Sequence, residues 1–508
     1  MKKQTFIQGG LILAGMGIVS KFLGLFFRWP LVMMMGDEGM GYYQMVFPIF
    51  SVFIAIAGGI PIALSKLISE NNDTGRECDN VKLVKISTSL LIIIAILGGV
   101  AIFMFKDIII KGFGWDSKVL YSLLAISIAP IFVAIVNPIR GYFQGYKNMN
   151  ETAISQFLEQ LGRVIVGVGL AYMLIPKGIE YAAGGAVLGA SAGGAVASIY
   201  LIYKFSKLKP KKKFKSKSST VSLTKKIILA TLPIAIGAGV ISIMGVIDSG
   251  VVPKKLLEAG FSSQEATILF SQLTGKATAL VHIPLTLAVA MGSALVPTIA
   301  SSNALRNFKE LSNNIGMSLK FSFVVAFPCA FGMFFLAEPI MATIFPGNDG
   351  GADILRYLSL SIPFLVLIQI TTSILQGMGK MKIPVINMII GSILKLVLTV
   401  FLVPIPNINI DGAVIASVIA FGVITVLNMS YLKYYTKYKV KWNDILFKPF
   451  LAAIIMIIVA LGSFLLLVDI IGSVAIACLV SISLGGIVYI GLILFLKVLD
   501  YETLKSKI

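Results

Sequence analysis

The sequence predicts an all-α polytopic membrane protein of fourteen transmembrane helices, and three observations carry that expectation. Of its 508 residues, 57% are hydrophobic and only 13% charged, with a mean hydropathy of +0.93, a balance foreign to water-soluble domains. Apolar runs of membrane-spanning length follow one another, and no segment between them is long enough for an independent soluble domain. The loops between them alternate between basic and acidic, as the two faces of a membrane require.

Taken in order, the spans fall at about 7–35, 39–66, 83–105, 118–143, 151–175, 181–204, 225–249, 264–299, 313–337, 352–376, 383–403, 411–433, 446–468 and 471–496. Met1-Lys2-Lys3 followed by an apolar run resembles a secretory leader, but no clear small-x-small cleavage site precedes Lys21 and the apolar pattern continues past it, so a retained first helix is expected. That helix carries Lys21 and Arg28, two turns apart on one face with Gly10, Gly17 and Gly24. A cation facing lipid costs roughly 3 kcal/mol. The pair is therefore expected to face a watery cavity that accepts an anion; the alternative is that Arg28 snorkels and Lys21 has a structural partner. Span 5 holds Glu159 and Arg163 at i,i+4, expected to pair; Arg163 could instead line a cleft together with Lys395. Prolines recur within spans, and Gly24, Pro48, Pro61, Pro284 and Pro297 are expected as bends or hinges. His282 on span 8 reads as a hydrogen-bonded helix residue or as a proton relay.

Orientation follows from charge. With the N-terminus in the cytoplasm, most of the 43 Lys and Arg fall on the cytoplasmic side, while Asp37, Glu38, Asp107, Asp116, Glu338 and Asp349 fall outside. An even span count returns the C-terminus to the cytoplasm. This placement accounts for the formal charge of +20 without a nucleic-acid partner. The most basic stretch, Lys204 to Lys226, reads as a topological anchor, with attraction to anionic lipid headgroups as the functional alternative. Three widely spaced cysteines and one histidine point to no disulfide framework and no metal centre.

The chain also repeats. Pro48 … Gly59-Ile60-Pro61-Ile62-Ala63-Leu64-Ser65 matches Pro284 … Leu295-Val296-Pro297-Thr298-Ile299-Ala300-Ser301, and Phe143–Met149 (FQGYKNM) matches Leu375–Met381 (LQGMGKM). At the second offset Arg163 corresponds to Lys395. Six spans per half make the halves parallel repeats, which suits alternating access around a central cleft. The expected organisation is a six-helix lobe over 1–204, a basic cytoplasmic linker over 205–224, a second six-helix lobe over 225–434 and two additional helices over 446–496.

The stretches Gly41–Leu67, Arg140–Val164, Gly292–Ala300 and Leu375–Leu396 resemble the stage V sporulation protein B family of the multidrug/oligosaccharidyl-lipid/polysaccharide exporter superfamily, which also holds the MurJ-type lipid II flippases. The resemblance spans essentially the whole chain. It implies two six-helix lobes, an added helix pair, and translocation of an undecaprenyl-pyrophosphate-linked sugar in cell-envelope or spore-cortex synthesis. Ser20-Lys21-Phe22-Leu23-Gly24 is similar to the first-helix Ser-Arg-x-Leu-Gly of MurJ-type flippases, with Lys for Arg, and Arg28 falls one residue after their second arginine. Their eighth-helix arginine has no counterpart in register; Lys276 is the nearest cation, with Gln272 and Thr274 beside it as further ligand contacts.

Three functional classes follow. A flippase for a lipid-linked oligosaccharide needs a cationic cleft, supplied by Lys21, Arg28, Lys276, Arg163 and Lys395. A cation-coupled multidrug exporter of the same superfamily needs a cavity carboxylate, for which Glu159 is the one mid-span acid. A membrane glycosyltransferase or ligase needs acids or histidines grouped at one surface, and the outer acids are scattered. The first is the expected function, a non-enzymatic transporter of the cytoplasmic membrane. It is expected to act as a monomer without a cofactor, its partners being the lipid-linked saccharide and membrane lipids. No phosphate-binding glycine loop appears, so the expected energy source is a Na⁺ or H⁺ gradient or the membrane potential.

Overall fold

The computed structural model describes residues 6–207, 219–436, 443–496 and 498, with the side chains of Lys21 and several neighbours in the first helix, and of some residues between 233 and 241, outside that description. The N-terminal lysines, residues 208–218 of the basic linker and the C-terminal lysines likewise lie outside the described residues.

Helices account for the regular structure among the described residues: α1 (Phe6–Asp73), α2 (Cys78–Phe113), α3 (Leu120–Ile126), α4 (Ala129–Gly145), α5 (Met149–Leu174), α6 (Ile179–Ser206), α7 (Thr220–Glu258), α8 (Ser263–Ser271), α9 (Thr278–Ala304), α10 (Phe308–Phe335), α11 (Ala337–Ile344), α12 (Ala352–Ser359), α13 (Ile362–Gly377), α14 (Lys382–Leu402), α15 (Asn409–Thr436), α16 (Lys448–Ile471) and α17 (Val474–Phe495). Within a bilayer only a helix or a closed barrel satisfies its own backbone, and these runs lack the alternation of a barrel strand. Eleven helical stretches among the described residues are long and apolar enough to cross a membrane, or twelve with the bent pair α12–α13 taken as one span. The protein is therefore an all-α, multi-pass membrane protein.

The first two expected spans are the two arms of α1, which turn at Gly36 (φ 65°, ψ −169°). That backbone conformation is open essentially to glycine alone. Gly24, Pro48 and Pro61 lie within helix on either side of this break, and Pro284 and Pro297 lie within α9. In α4 and α13 a proline sits in the first turn, where its missing N–H costs nothing; the α12–α13 break there bends by 46°.

Two compact units form, one from residues 1–257 with 261–271 and the other from 258–260 with 272–508. The main division thus falls at the end of α8, between Ser271 and Gln272, whereas the basic linker is where the sequence places it. The reason is packing. Leu223 and Ile227 of α7 share a core with Phe53, Leu64 and Leu83, and Trp115 Nε1 donates to the Ser249 carbonyl at 2.6 Å. In the second unit, Met456 and Ile457 of α16 and Tyr489 of α17 share a core with α10 and α13, and the Tyr489 hydroxyl donates to the Val324 carbonyl at 2.9 Å.

The repeat recurs in the packing inside each unit. Gly145 lets α4 close on Ile68 and the Ser65 carbonyl of α1, while Gly377, its counterpart, lets α13 close on Ile299 and the Val296 carbonyl of α9. Arg140 Nε donates to Ser155 Oγ at 2.8 Å in the first unit. Their counterparts Thr372 and Asn387 are joined through Asn428 in the second.

Candidate anion-binding site

The site is built where the first arm of α1 meets α5. Glycines at 189 and 193 of α6 present bare backbone to the Glu159–Arg163 turn of α5, so close that a Cβ at Gly193 would collide with the Glu159 carbonyl and one at Gly189 would lie 2.7 Å from the Arg163 carbonyl. This small-residue seam seats α5 against α6. On its α1 side, α5 offers Gly167, where an added Cβ would meet Phe27 at 2.9 Å. Phe27 can therefore approach α5 closely at Gly167, which sets the level of its neighbour Arg28.

The second arm of α1 supplies an aromatic ladder. Phe27 meets Tyr43 edge-on at 5.7 Å, Tyr43 stacks on Phe47 at 5.7 Å, and Phe47 meets Phe50 at 5.9 Å. The Arg163 guanidinium lies over the Phe47 ring, 5.7 Å from its centre, a cation–π contact of Arg's preferred kind. The buried Tyr43 lies within electrostatic reach of both Arg28 and Arg163. Two guanidiniums thus border one aromatic ladder, Arg163 over Phe47 and Arg28 next in the chain to Phe27, and neither has a carboxylate partner among the described residues. Arg163 Nε is buried without a hydrogen-bond partner among those residues. Such a pair can hold a compact dianion by charge-assisted, forked hydrogen bonds.

The expected Glu159–Arg163 pair does not form. Glu159 instead accepts from Arg140 of α4 at 2.9 Å, and the same guanidinium donates to Ser155. Spacing along one helix pointed to the i,i+4 neighbour, but Glu159 lies toward α4 and Arg163 toward the aromatic ladder. The mid-span acid is neutralised, and Arg163 keeps its charge for the site.

The remaining predicted residues lie elsewhere. Lys21 is in the first arm of α1, its side chain outside the described residues. Lys276 sits in a π-helical turn, Gln272–Ala277, between α8 and α9. It is fully buried, donates to the carbonyls of Asn348 at 2.5 Å and Gly350 at 3.4 Å, and lies over the Phe345 ring. Gln272 packs against Gly351 of the same loop. Thr274, His282 and Lys395 belong to the second unit with it, each already engaged in an interaction of its own. The structure thus sets Arg28 and Arg163 along one aromatic ladder within the first unit, and gives Lys276 a carbonyl cage in the second. Tyr43, Phe47 and Arg140 were not singled out from sequence. An aromatic i,i+4,i+7 stripe at 43, 47 and 50 was the available signal, and in an apolar helix it reads equally well as core.

Comparison with known proteins agrees with this architecture. The model of the family described as polysaccharide biosynthesis protein matches residues 6–303, and the MatE model matches residues 272–401. Stage V sporulation protein B of Bacillus subtilis is 28% identical over 437 residues, covering 84% of this chain and 83% of its own. The lipid II flippase MurJ of the same organism is 27% identical over 515 residues, covering 95% and 94%. A solved structure of lipid II flippase MurJ in an inward closed conformation superposes with a TM-score of 0.74 at 19% identity, covering 96% of this chain and 98% of that one.

Proposed function

Because the chain belongs to the polysaccharide biosynthesis protein family, we propose that it is a flippase that carries an undecaprenyl-pyrophosphate-linked oligosaccharide, a lipid II-like precursor of peptidoglycan or polysaccharide, across the cytoplasmic membrane. The observation that carries this reading is the placement of Arg28 and Arg163 along one Phe27–Tyr43–Phe47 ladder without a neutralising carboxylate among the described residues. A pyrophosphate supplies the two negative charges that the pair lacks. The polyprenyl tail stays in lipid, and alternating access exposes the arginine pair to one membrane face and then the other. Two relatives at comparable identity support the substrate class, one of them named a lipid II flippase. The Glu159–Arg140 ion pair weighs against the cation-coupled exporter, which needs that carboxylate unpaired.

In this reading both termini and the Lys204–Lys226 stretch are cytoplasmic, the basic stretch rests on anionic lipid, the monomer is the working unit, and an ion gradient or the membrane potential drives the cycle. The test is depletion in the native host, with lipid-linked saccharides quantified on each leaflet by an impermeant sugar-modifying probe. Accumulation on the cytoplasmic leaflet, reversed by the wild-type chain but not by an Arg28→Gln, Arg163→Gln double variant of equal abundance, is the expected result. An unchanged leaflet distribution on depletion would overturn the reading.

A further inference from the structure

The α1–α5 seam holds more unmatched polarity than an anion can satisfy. Three buried polar atoms there lack a hydrogen-bond partner among the described residues: Ser20 Oγ, Gln160 Oε1 and Arg163 Nε. Gln160, Arg163 and Gly167 lie on one stripe of α5, at i, i+3 and i+7. That stripe faces α1, since Gly167 is where Phe27 packs. The first arm of α1 and α5 are odd-numbered spans of a chain that reverses at each crossing, so they run the same way. Counting back seven residues from Phe27 and from Gly167 brings each helix to Ser20 and Gln160, roughly 10 Å toward the cytoplasmic end. Ser20 and Gln160 thus share a level, two turns below the Phe27–Gly167 contact.

The donor and acceptor count then restricts the ligand. Arg163 Nε needs an acceptor, which a phosphate oxygen supplies. Gln160 Oε1 needs a donor, and a phosphate diester or pyrophosphate at neutral pH has none. Gln160 and Arg163 stand one turn apart and do not satisfy each other. A buried amide oxygen left unpaired costs free energy comparable to a lost hydrogen bond. An occupant that carries an anion and, adjacent to it, an O–H or N–H donor satisfies all three atoms at once.

We infer that Gln160, assisted by Ser20, reads the first sugar of the substrate, accepting a hydrogen bond from a hydroxyl or acetamido N–H next to the pyrophosphate that Arg28 and Arg163 hold. The inference deepens the proposed function and rests on it. It makes Gln160 a specificity-determining residue that discriminates a glycosylated carrier from the bare carrier pyrophosphate, so that empty carrier is not moved in competition with loaded carrier.

The test uses the full chain in lipid nanodiscs and two probes, undecaprenyl pyrophosphate and undecaprenyl-pyrophosphoryl-N-acetylglucosamine. The wild type is expected to bind the glycosylated probe roughly 3- to 10-fold more tightly, the worth of one or two neutral hydrogen bonds. Gln160→Met, similar in size but without an acceptor oxygen, is expected to abolish that preference and leave affinity for the bare pyrophosphate unchanged. Ser20→Ala should narrow the preference without abolishing it. A purely structural defect would instead weaken both probes together and lower the thermal midpoint, and that outcome overturns the inference. So does equal wild-type affinity for the two probes, or a preference that survives in Gln160→Met. Failure of the wild type to bind either probe would instead strike the pyrophosphate reading on which the inference stands.

Discussion

The Arg140 guanidinium meets the Glu159 carboxylate at 2.9 Å across the α4–α5 interface, with both side chains largely buried. Removing one partner of such a pair leaves an uncompensated charge, whereas removing both often costs little. Glu159→Gln alone is expected to destabilise the protein by roughly 3–5 kcal/mol, read as lost membrane abundance and a lowered thermal midpoint. The Arg140→Met, Glu159→Gln double variant should recover most of both and retain transport. A double variant that folds but does not transport would make Glu159 a coupling carboxylate and favour the exporter reading.

That pairing also shows where sequence reasoning stops. Membrane spans are legible because lipid demands long apolar runs, and the charges at Arg28 and Arg163 stand out against them. Which charges neutralise each other is decided between helices. Arg140 and Glu159 are 19 residues apart, and no periodicity within one helix links them. Lys276 is the same case on a larger scale, since its carbonyl partners lie 72 and 74 residues away. The placement of α7 with the first unit was hidden because a basic, topologically required linker resembles a domain boundary in composition, while the packing of Leu223 and Ile227 leaves no mark on charge.

The α5–α6 seam should be intolerant of a single methyl group at one position and indifferent at another. A Cβ at Gly193 would collide with the Glu159 carbonyl, while one at Gly169 of α5 meets nothing within 4 Å. Gly193→Ala is expected to cost about 1–3 kcal/mol through overpacking, and Gly169→Ala to be neutral or stabilising by up to about 1 kcal/mol through helix propensity. Thermal unfolding of the two purified variants decides the matter. Equal midpoints would mean that the helices do not approach as closely as the structure has them.

Topology can be checked independently of chemistry. Reporters inserted after Lys213 and fused at the C-terminus should both report cytoplasm, and one beside Asp349 should report the outer face, following the distribution of Lys and Arg among the loops. An outward signal at Lys213 would invert the access path to the arginine pair.

The sharpest contrast is between Arg28 or Arg163 and Lys276, because the two kinds of cation predict opposite signatures. The arginines have no carboxylate to strand among the described residues, so neutralising either relieves an uncompensated charge. Arg28→Gln and Arg163→Gln are expected to leave the thermal midpoint unchanged or raised, while weakening binding of undecaprenyl pyrophosphate roughly 10- to 100-fold, the worth of a charge-assisted bond of about 1.5–3 kcal/mol. The charge pattern of the first span alone leads to the expectation that Lys21→Arg retains binding and Lys21→Ala loses it. Lys276 instead fills a buried cage formed by the Asn348 and Gly350 carbonyls. Lys276→Met leaves those acceptors unpaired and is expected to lower stability by about 1–3 kcal/mol per lost bond, with pyrophosphate affinity intact in the protein that remains folded. Midpoint and affinity measured on the same nanodisc preparations separate the two. If Lys276→Met loses affinity with no change in midpoint, the anion site belongs to the π-helical turn between α8 and α9, and the arginine pair is structural.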